Sequence, residues 1–456
     1  MNFINRTNEL NTLNKEYQEN RFSFVVIYGR RRVGKTRLIS EFIKNKKSIY
    51  FLADTQTEKL NIQRFSKSVS QFLKDDFINN IEFNNWETVF EYIFKQLNLN
   101  KKIIIVVDEF QYLAQINPAT ASVFQRIIDE TLQHKNCMLI LCGSIISLMY
   151  KHTLTYTSPL YGRRTAQIKL QPLSFLDFSD HYKDISKIRC VELYSILSGV
   201  PKYMELFNLD DDIYKAIESN IFNPNSFLYQ EPRFLLNEEL STHTTYFSIL
   251  KIIAEGTHKL GNISSKIGSK NKNITSFLDK LRDLEIIYRD VPIFETNYEK
   301  SKKGLYFFKD HFLRFWFQYV FPNMNVLEMG NDREVISTVK QSFSIFTSYA
   351  FEKIAQEIIQ KESSFQVQKI GRYWDKNLEI DIVAMGEKNI LFGECKWMNR
   401  QVGLKTLYEL KEKVKCLKKD YISGKNISYA LFSKKGFKDN LLKVADQETT
   451  SLYSFM

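Results

Sequence analysis

Cysteine is scarce in this chain: five occur among 456 residues, at positions 137, 142, 190, 395 and 416. None forms a C-x-x-C pair, which argues against a cysteine zinc site and against a disulfide framework. A reducing cytoplasm is the expected compartment. Long apolar runs are missing as well. No stretch approaches 18 uncharged apolar residues, so no membrane span and no membrane partner are expected. The opening Met1-Asn-Phe-Ile-Asn-Arg6 lacks the apolar region of a secretory signal. Acidic residues are outnumbered: 52 Asp and Glu face 64 Lys and Arg, a formal net charge of +12. That excess favours an acidic partner, and nucleic acid is the first candidate. Apolar residues make up 44% of the chain, enough for several cores, and the length suits two to four domains.

Residues Gly29-Arg30-Arg31-Arg32-Val33-Gly34-Lys35-Thr36 fit G-x-x-x-x-G-K-[ST], a phosphate-binding loop. The motif follows an apolar run, Phe22 to Tyr28, and precedes a helical pattern that starts at Arg37. Loop and helix N-terminus together offer backbone N–H groups to phosphate oxygens, which makes residues 29–37 the expected ATP contact. Lys35 can reach the β- and γ-phosphates, and Thr36 can ligate Mg²⁺. A second motif, Ile103-Ile-Ile-Val-Val-Asp108-Glu109, is a β-branched run ending in two carboxylates. Such a run suits a central parallel strand. Asp108 is expected to hold Mg²⁺ and Glu109 to polarise the attacking water. A third run, Cys137 to Cys142, ends in Gly143-Ser144, where a hydroxyl can watch the γ-phosphate from a neighbouring strand. Arg163 and Arg164 follow a Gly162 turn. They read either as contacts to a phosphate, here or on a neighbouring subunit, or as a solvated basic loop.

Strands are expected at 22–28, 48–52, 103–107, 138–142 and 166–170. With intervening helices they make residues 1–205 an α/β domain with a parallel sheet and the start of a lid. Residues 206–325 read as a helical lid and a winged helix-turn-helix: helices near 246–256, 260–267 and 273–287, then a hairpin from Tyr288–Phe294 and Leu305–Phe308. Apolar residues at 274, 277, 278, 281 and 284 share one face of the third helix. Lys270, Lys272, Asn273, Lys280 and Arg282 are its expected exposed residues, available to DNA. Winged helices also serve as protein-partner modules. The aromatics Phe307, Phe308, Phe312, Phe315, Trp316, Phe317 and Tyr319 read as core rather than as a base-stacking platform.

Residues 340–456 carry a helix with Glu352, then Ile380-Asp381-Ile-Val, then Gly393-Glu394-Cys-Lys396. This Asp…Glu-x-Lys arrangement resembles the PD-(D/E)xK nuclease fold, a restriction-endonuclease-like α/β domain. Asp381 and Glu394 would then ligate Mg²⁺, Lys396 would activate water against a phosphodiester, and Glu352 would complete the acidic cluster.

Over nearly its full length the chain resembles the archaeal-type ATPases of the STAND/AAA+ group, also found in bacteria. The residues that carry the resemblance are Phe3-Ile-Asn-Arg6-Thr-Asn-Glu9-Leu10, Gly29 to Thr36, Asp108-Glu109-Phe-Gln-Tyr-Leu, Gly143-Ser144, Pro159 to Arg164 and Gly199-Val-Pro201. The resemblance implies that Phe3 to Leu10 caps the adenine, with Arg6 and Glu9 fixing that segment, and that Pro201 lies near the nucleotide. The group usually has Gly before this Arg; here Asn5 stands there. Two functions remain open at this stage. One is an ATP-driven switch that regulates DNA contact or cleavage. The other is a signalling or scaffold ATPase, assembling with its own copies or with a protein partner.

Overall fold

The computed structural model describes residues 3–96, 101–207, 209, 212–240, 243–268 and 271–456, with the side chains of 79, 80, 243 and 271–273 left aside. The chain divides into two compact units, 1–172 and 173–456.

The first unit is built on five parallel strands in the order β2-β3-β4-β1-β5. They are β1 (Ser23–Tyr28), β2 (Ser48–Leu52), β3 (Ile103–Asp108), β4 (Cys137–Gly143) and β5 (Ala166–Lys169). Every residue of β1, β3 and β4 is buried, as unbroken apolar runs require when helices cover both sheet faces. The two-residue period sorts them. Phe24, Val26, Ile105 and Val107 enter one core, while Val25, Ile27, Ile104 and Val106 enter the other. In register, Tyr28 pairs with Gly143 and Leu52 with Asp108. The strand ends carrying the three motifs therefore lie along one edge of the sheet, where open α/β sheets bind ligands.

The second unit begins with helices. His243–Ala254, Leu260–Ile267 and Asn271–Asp283 precede an antiparallel pair, β6 (Ile287–Asp290) with β7 (Leu305–Phe308). Strand β6 stops four residues before the expected Phe294. Pro292 has no N–H to give a ladder, and the next N–H, of Ile293, goes instead to the Arg372 carbonyl. Ile274, Leu278, Leu281 and Leu284 are buried along one face of the third helix. Two of its basic residues depart from expectation. Lys280 and Arg282 are half-buried rather than exposed, and Arg282 is engaged by Asp279 and Glu299 at 3.0 and 3.2 Å. Lys270, and the side chains of Lys272 and Asn273, lie outside the described residues. All seven aromatics from Phe307 to Tyr319 are at most 5% exposed, so they are core.

The C-terminal sheet has the order β12-β11-β10-β9-β8. Strands β8 (Lys369–Trp374), β9 (Glu379–Met385) and β10 (Asn389–Lys396) pair antiparallel; β11 (Asn426–Ser433) and β12 (Thr450–Ser454) continue in parallel. Leu407, Leu410 and Val414 of the helix Leu404–Lys415 share a core with Ile380, Val383, Ile390 and Phe392. The long helix Asp332–Glu362 packs against β8, β9 and β10. No helix among the described residues is long and apolar enough to cross a membrane. All five cysteines are free.

Candidate functional site

In the first unit the loop after β1 closes on its own lysine. Lys35 Nζ, nearly buried, donates to the carbonyls of Gly29 and Arg30 at 2.8 and 2.9 Å. Burial lowers its pKa, against the opposing charges of Cys142, Glu109 and Asp108. Gly29 adopts φ 150°, and a Cβ there would collide with the Leu170 carbonyl. Gly34 starts the helix Lys35–Ile43 at φ 96°. At the end of β3, Asp108 is fully buried and fully engaged. Its Oδ2 accepts from Thr36 Oγ1 at 2.9 Å and from the Tyr50 hydroxyl at 2.7 Å; its Oδ1 accepts from the Glu109 N–H at 2.9 Å. Burial, and then that carboxylate, hold the Tyr50 hydroxyl well above its ordinary pKa.

Glu109 has a left-handed backbone, φ 56°. Such a conformation in a non-glycine residue costs about 1–3 kcal/mol and tends to mark a working position. It turns the chain from β3 into the helix Phe110–Ile116. Its Oε2 accepts from Ser144 Oγ at 2.7 Å and from Gln111 Nε2. Asn5 and Arg6 are also left-handed, at φ 45° and 72°. Asn is among the few side chains that take this conformation readily, which explains how Asn5 can stand in a glycine's position. Arg6 donates to Val33 O at 3.1 Å and Gln171 O at 2.7 Å and lies 3.6 Å from Glu9, so the opening segment is stapled to the loop.

Arg163 and Arg164 turn elsewhere. Arg163 forms a two-pronged ion pair with Asp129, both contacts at 2.7 Å, and donates to Pro159 O. Arg164 donates to Thr153 O and lies over the Tyr161 ring. Pro201 opens a helix, Pro201–Leu206, in the second unit.

The carboxylates of the C-terminal sheet also meet. The β9–β10 register pairs Ile382 with Gly393, which sets Asp381 level with Glu394. Asp381 Oδ2 accepts from Cys395 N at 2.9 Å. Burial, then the charges of Glu394 and Glu352, push the Asp381 carboxyl up to about 7. Lys396 Nζ lies 2.6 Å from Glu394 Oε1. Lys413, from the helix Leu404–Lys415, reaches both Glu394 oxygens at 2.9 and 3.1 Å. Glu352 projects from the long helix to 3.4 Å from Arg372.

Two stretches of the chain match known families. Residues 3–207 match the model of an ATPase domain found predominantly in Archaea. Residues 316–410 match a family of archaeal and bacterial proteins of unknown function. An uncharacterized protein of Methanocaldococcus jannaschii is 36% identical over 405 residues, 87% of each chain. The chain belongs to the archaeal ATPase family. An uncharacterized ATP-binding protein of the same organism is 51% identical over 45 residues, 10% of this chain and 76% of that one. Among solved structures, a Walker-type ATPase of Pyrococcus abyssi is 17% identical and covers 69% of this chain and 96% of its own, with a TM-score of 0.49.

This ATPase binds and hydrolyses ATP. Its Thr36 hydroxyl and Asp108 carboxylate, already in contact, are hard oxygen donors of the kind Mg²⁺ takes. Among the described residues no three His, Cys, Asp or Glu side chains are grouped to hold a metal ion. Sequence reasoning missed Tyr50, Arg372 and Lys413, which reach their sites across strands and helices. Gln111 was quoted within its motif but given no role. Its signal is a polar side chain between two aromatics, Phe110 and Tyr112, directly after the acid pair.

Proposed function

We propose that this ATPase uses its nucleotide cycle to regulate DNA contact by its C-terminal half, where a nuclease-like site acts on phosphodiesters. Three modules carry the reading: residues 1–205, a lid and winged helix over 206–325, and a PD-(D/E)xK-like domain over 340–456. In the first, Lys35 binds the β- and γ-phosphates, Glu109 orients the attacking water, Ser144 senses the γ-phosphate, and Phe3 to Leu10 covers the adenine. Thr36 and Asp108 hold Mg²⁺, which offsets phosphate charge. In the third, Asp381 and Glu394 hold Mg²⁺, Lys396 orients water, and Glu352 tunes the cluster. The observation that carries this reading is the β9–β10 register that sets Asp381 level with Glu394, with Lys396 on Glu394 and with burial and the charges of Glu394 and Glu352 pushing the Asp381 carboxyl up to about 7. The net charge of +12 supports a polyanionic partner.

One observation favours a second reading, a signalling or scaffold ATPase with a non-cleaving C-terminal domain. Glu394 is already answered by two lysines, Lys396 and Lys413. Plasmid nicking separates the two. Supercoiled DNA incubated with Mg²⁺ and ATP is expected to be nicked by the wild type and not by Asp381→Ala. Intact plasmid in both, alongside normal ATP turnover, would establish the scaffold reading instead.

A further inference from the structure

Gln111 is fully buried in the first turn of the helix Phe110–Ile116, among the apolar Phe110, Leu113 and Ala114. Its side chain is split in its satisfaction. Nε2 donates to Glu109 Oε2 and to Ser144 Oγ, the latter at 3.3 Å, while Oε1 has no hydrogen-bond partner among the described residues. A buried, unpaired acceptor costs about 1–3 kcal/mol, and a methionine or leucine of similar size would avoid that cost. The amide is therefore kept for what its nitrogen does. Ser144 Oγ itself donates to the same Glu109 oxygen at 2.7 Å, so the three side chains close a triangle. Local structure is arranged around it. A Cβ on Gly143 would collide with Gln111 Oε1 and Met149 Sδ, so the glycine before Ser144 lets the amide lie against the end of β4. Glu109 caps the helix through its left-handed turn, and its carboxylate accepts from that amide.

We propose that Gln111 is a positioning residue for ATP hydrolysis: it ties the water-orienting Glu109 to Ser144, so that the two move as one unit. The inference rests on the assignment of Glu109 and Ser144 given above. Two donors meet one Glu109 oxygen. When the γ-phosphate draws on the Ser144 hydroxyl, Gln111, which donates to both Ser144 Oγ and Glu109 Oε2, carries the shift to the carboxylate and keeps it oriented. Removing the amide frees Glu109 to rotate, and sensing no longer reaches the base. Supporting partners of this kind are typically worth roughly 10- to 100-fold in activity.

The test is a double-mutant cycle on steady-state ATP turnover with Gln111→Met and Ser144→Ala, beside the affinity for a fluorescent ATP analogue. Gln111→Met is expected to lower kcat by roughly 10- to 100-fold with nucleotide affinity within about twofold of wild type. The double variant is expected to be no slower than the slower single, because the two residues act through one partner. Gln111→Glu, equal in shape, guards against a misfolded methionine variant; it sets a second carboxylate against Glu109, and its kcat is expected to fall at least as far. A kcat within about twofold of wild type in either Gln111 variant overturns the inference, as do losses that simply multiply in the pair. Failure of the underlying assignment is separate: Glu109→Gln would then turn over ATP normally, whatever Gln111 does.

Discussion

At Lys35 burial and charge oppose each other. Desolvation disfavours the ammonium, and Glu109 and Asp108 favour it. Its present acceptors are two carbonyls of its own loop. Phosphate oxygens are stronger partners for an ammonium than neutral carbonyls. Lys35→Ala is therefore expected to abolish ATP turnover, measured as phosphate release; turnover at the wild-type rate would remove the loop from the site. Asp381 poses the opposite problem. Its carboxyl is raised from 3.8 to about 7 by burial and by Glu394 and Glu352. A raised carboxyl pKa favours the fold while the group is protonated, fully below about 4, and that contribution is lost as pH rises to about 7. At pH 8 the ionised group then costs on the order of 4 kcal/mol. Asp381→Asn keeps an acceptor for the Cys395 N–H and is expected to unfold at higher temperature than wild type at pH 8 but not at pH 4. Equal midpoints at pH 8 would mean that neither burial nor the neighbouring carboxylates penalise the ionised Asp381. Lys35, Thr36, Asp108 and Glu109 are legible in the sequence because each motif is contiguous, and the chain itself delivers it to a strand end. Tyr50 and Lys413 are not, because only the register of β2 beside β3, and the packing of a helix on β10, bring them in.

The elements follow from period and composition wherever one side chain pattern dominates. Runs of Ile, Val and Leu place β1, β3 and β4 to within a residue, since an all-buried parallel strand leaves no room for polar alternation. The third helix of the second unit keeps its apolar face as read, while its basic face is partly tied down by Asp279 and Glu299, neighbours that spacing cannot reveal. Caps supplied from a distance are equally invisible. The helix Phe175–His181 has its first N–H groups, from Phe175 and Leu176, bound at 3.0 Å by the two oxygens of Glu357 on the long helix. A carboxylate there satisfies orphan donors and complements the helix dipole. Glu357→Ala is expected to cost about 1–2 kcal/mol in urea unfolding, with part recovered in Glu357→Gln. A loss below about 0.3 kcal/mol would show that solvent caps the helix equally well.

At the scale of the molecule, the order of elements is legible from the change of pattern along the chain: alternating strands and helices, then helices with a hairpin, then a sheet bearing carboxylates. The proposed coupling between ATP and the second unit would be a property of nucleotide states, with no sequence signature. The most direct measurement is the affinity of a fluorescent DNA duplex for the Glu109→Gln protein held in ATP and Mg²⁺, against wild type in ADP and Mg²⁺, at low salt. Glu109→Gln is chosen because it is expected to bind ATP and not hydrolyse it. The account expects affinities that differ by at least about fivefold between the two states, a coupling of about 1 kcal/mol, each weakening steeply as salt is added. Equal affinities, or no binding in either state, would contradict it.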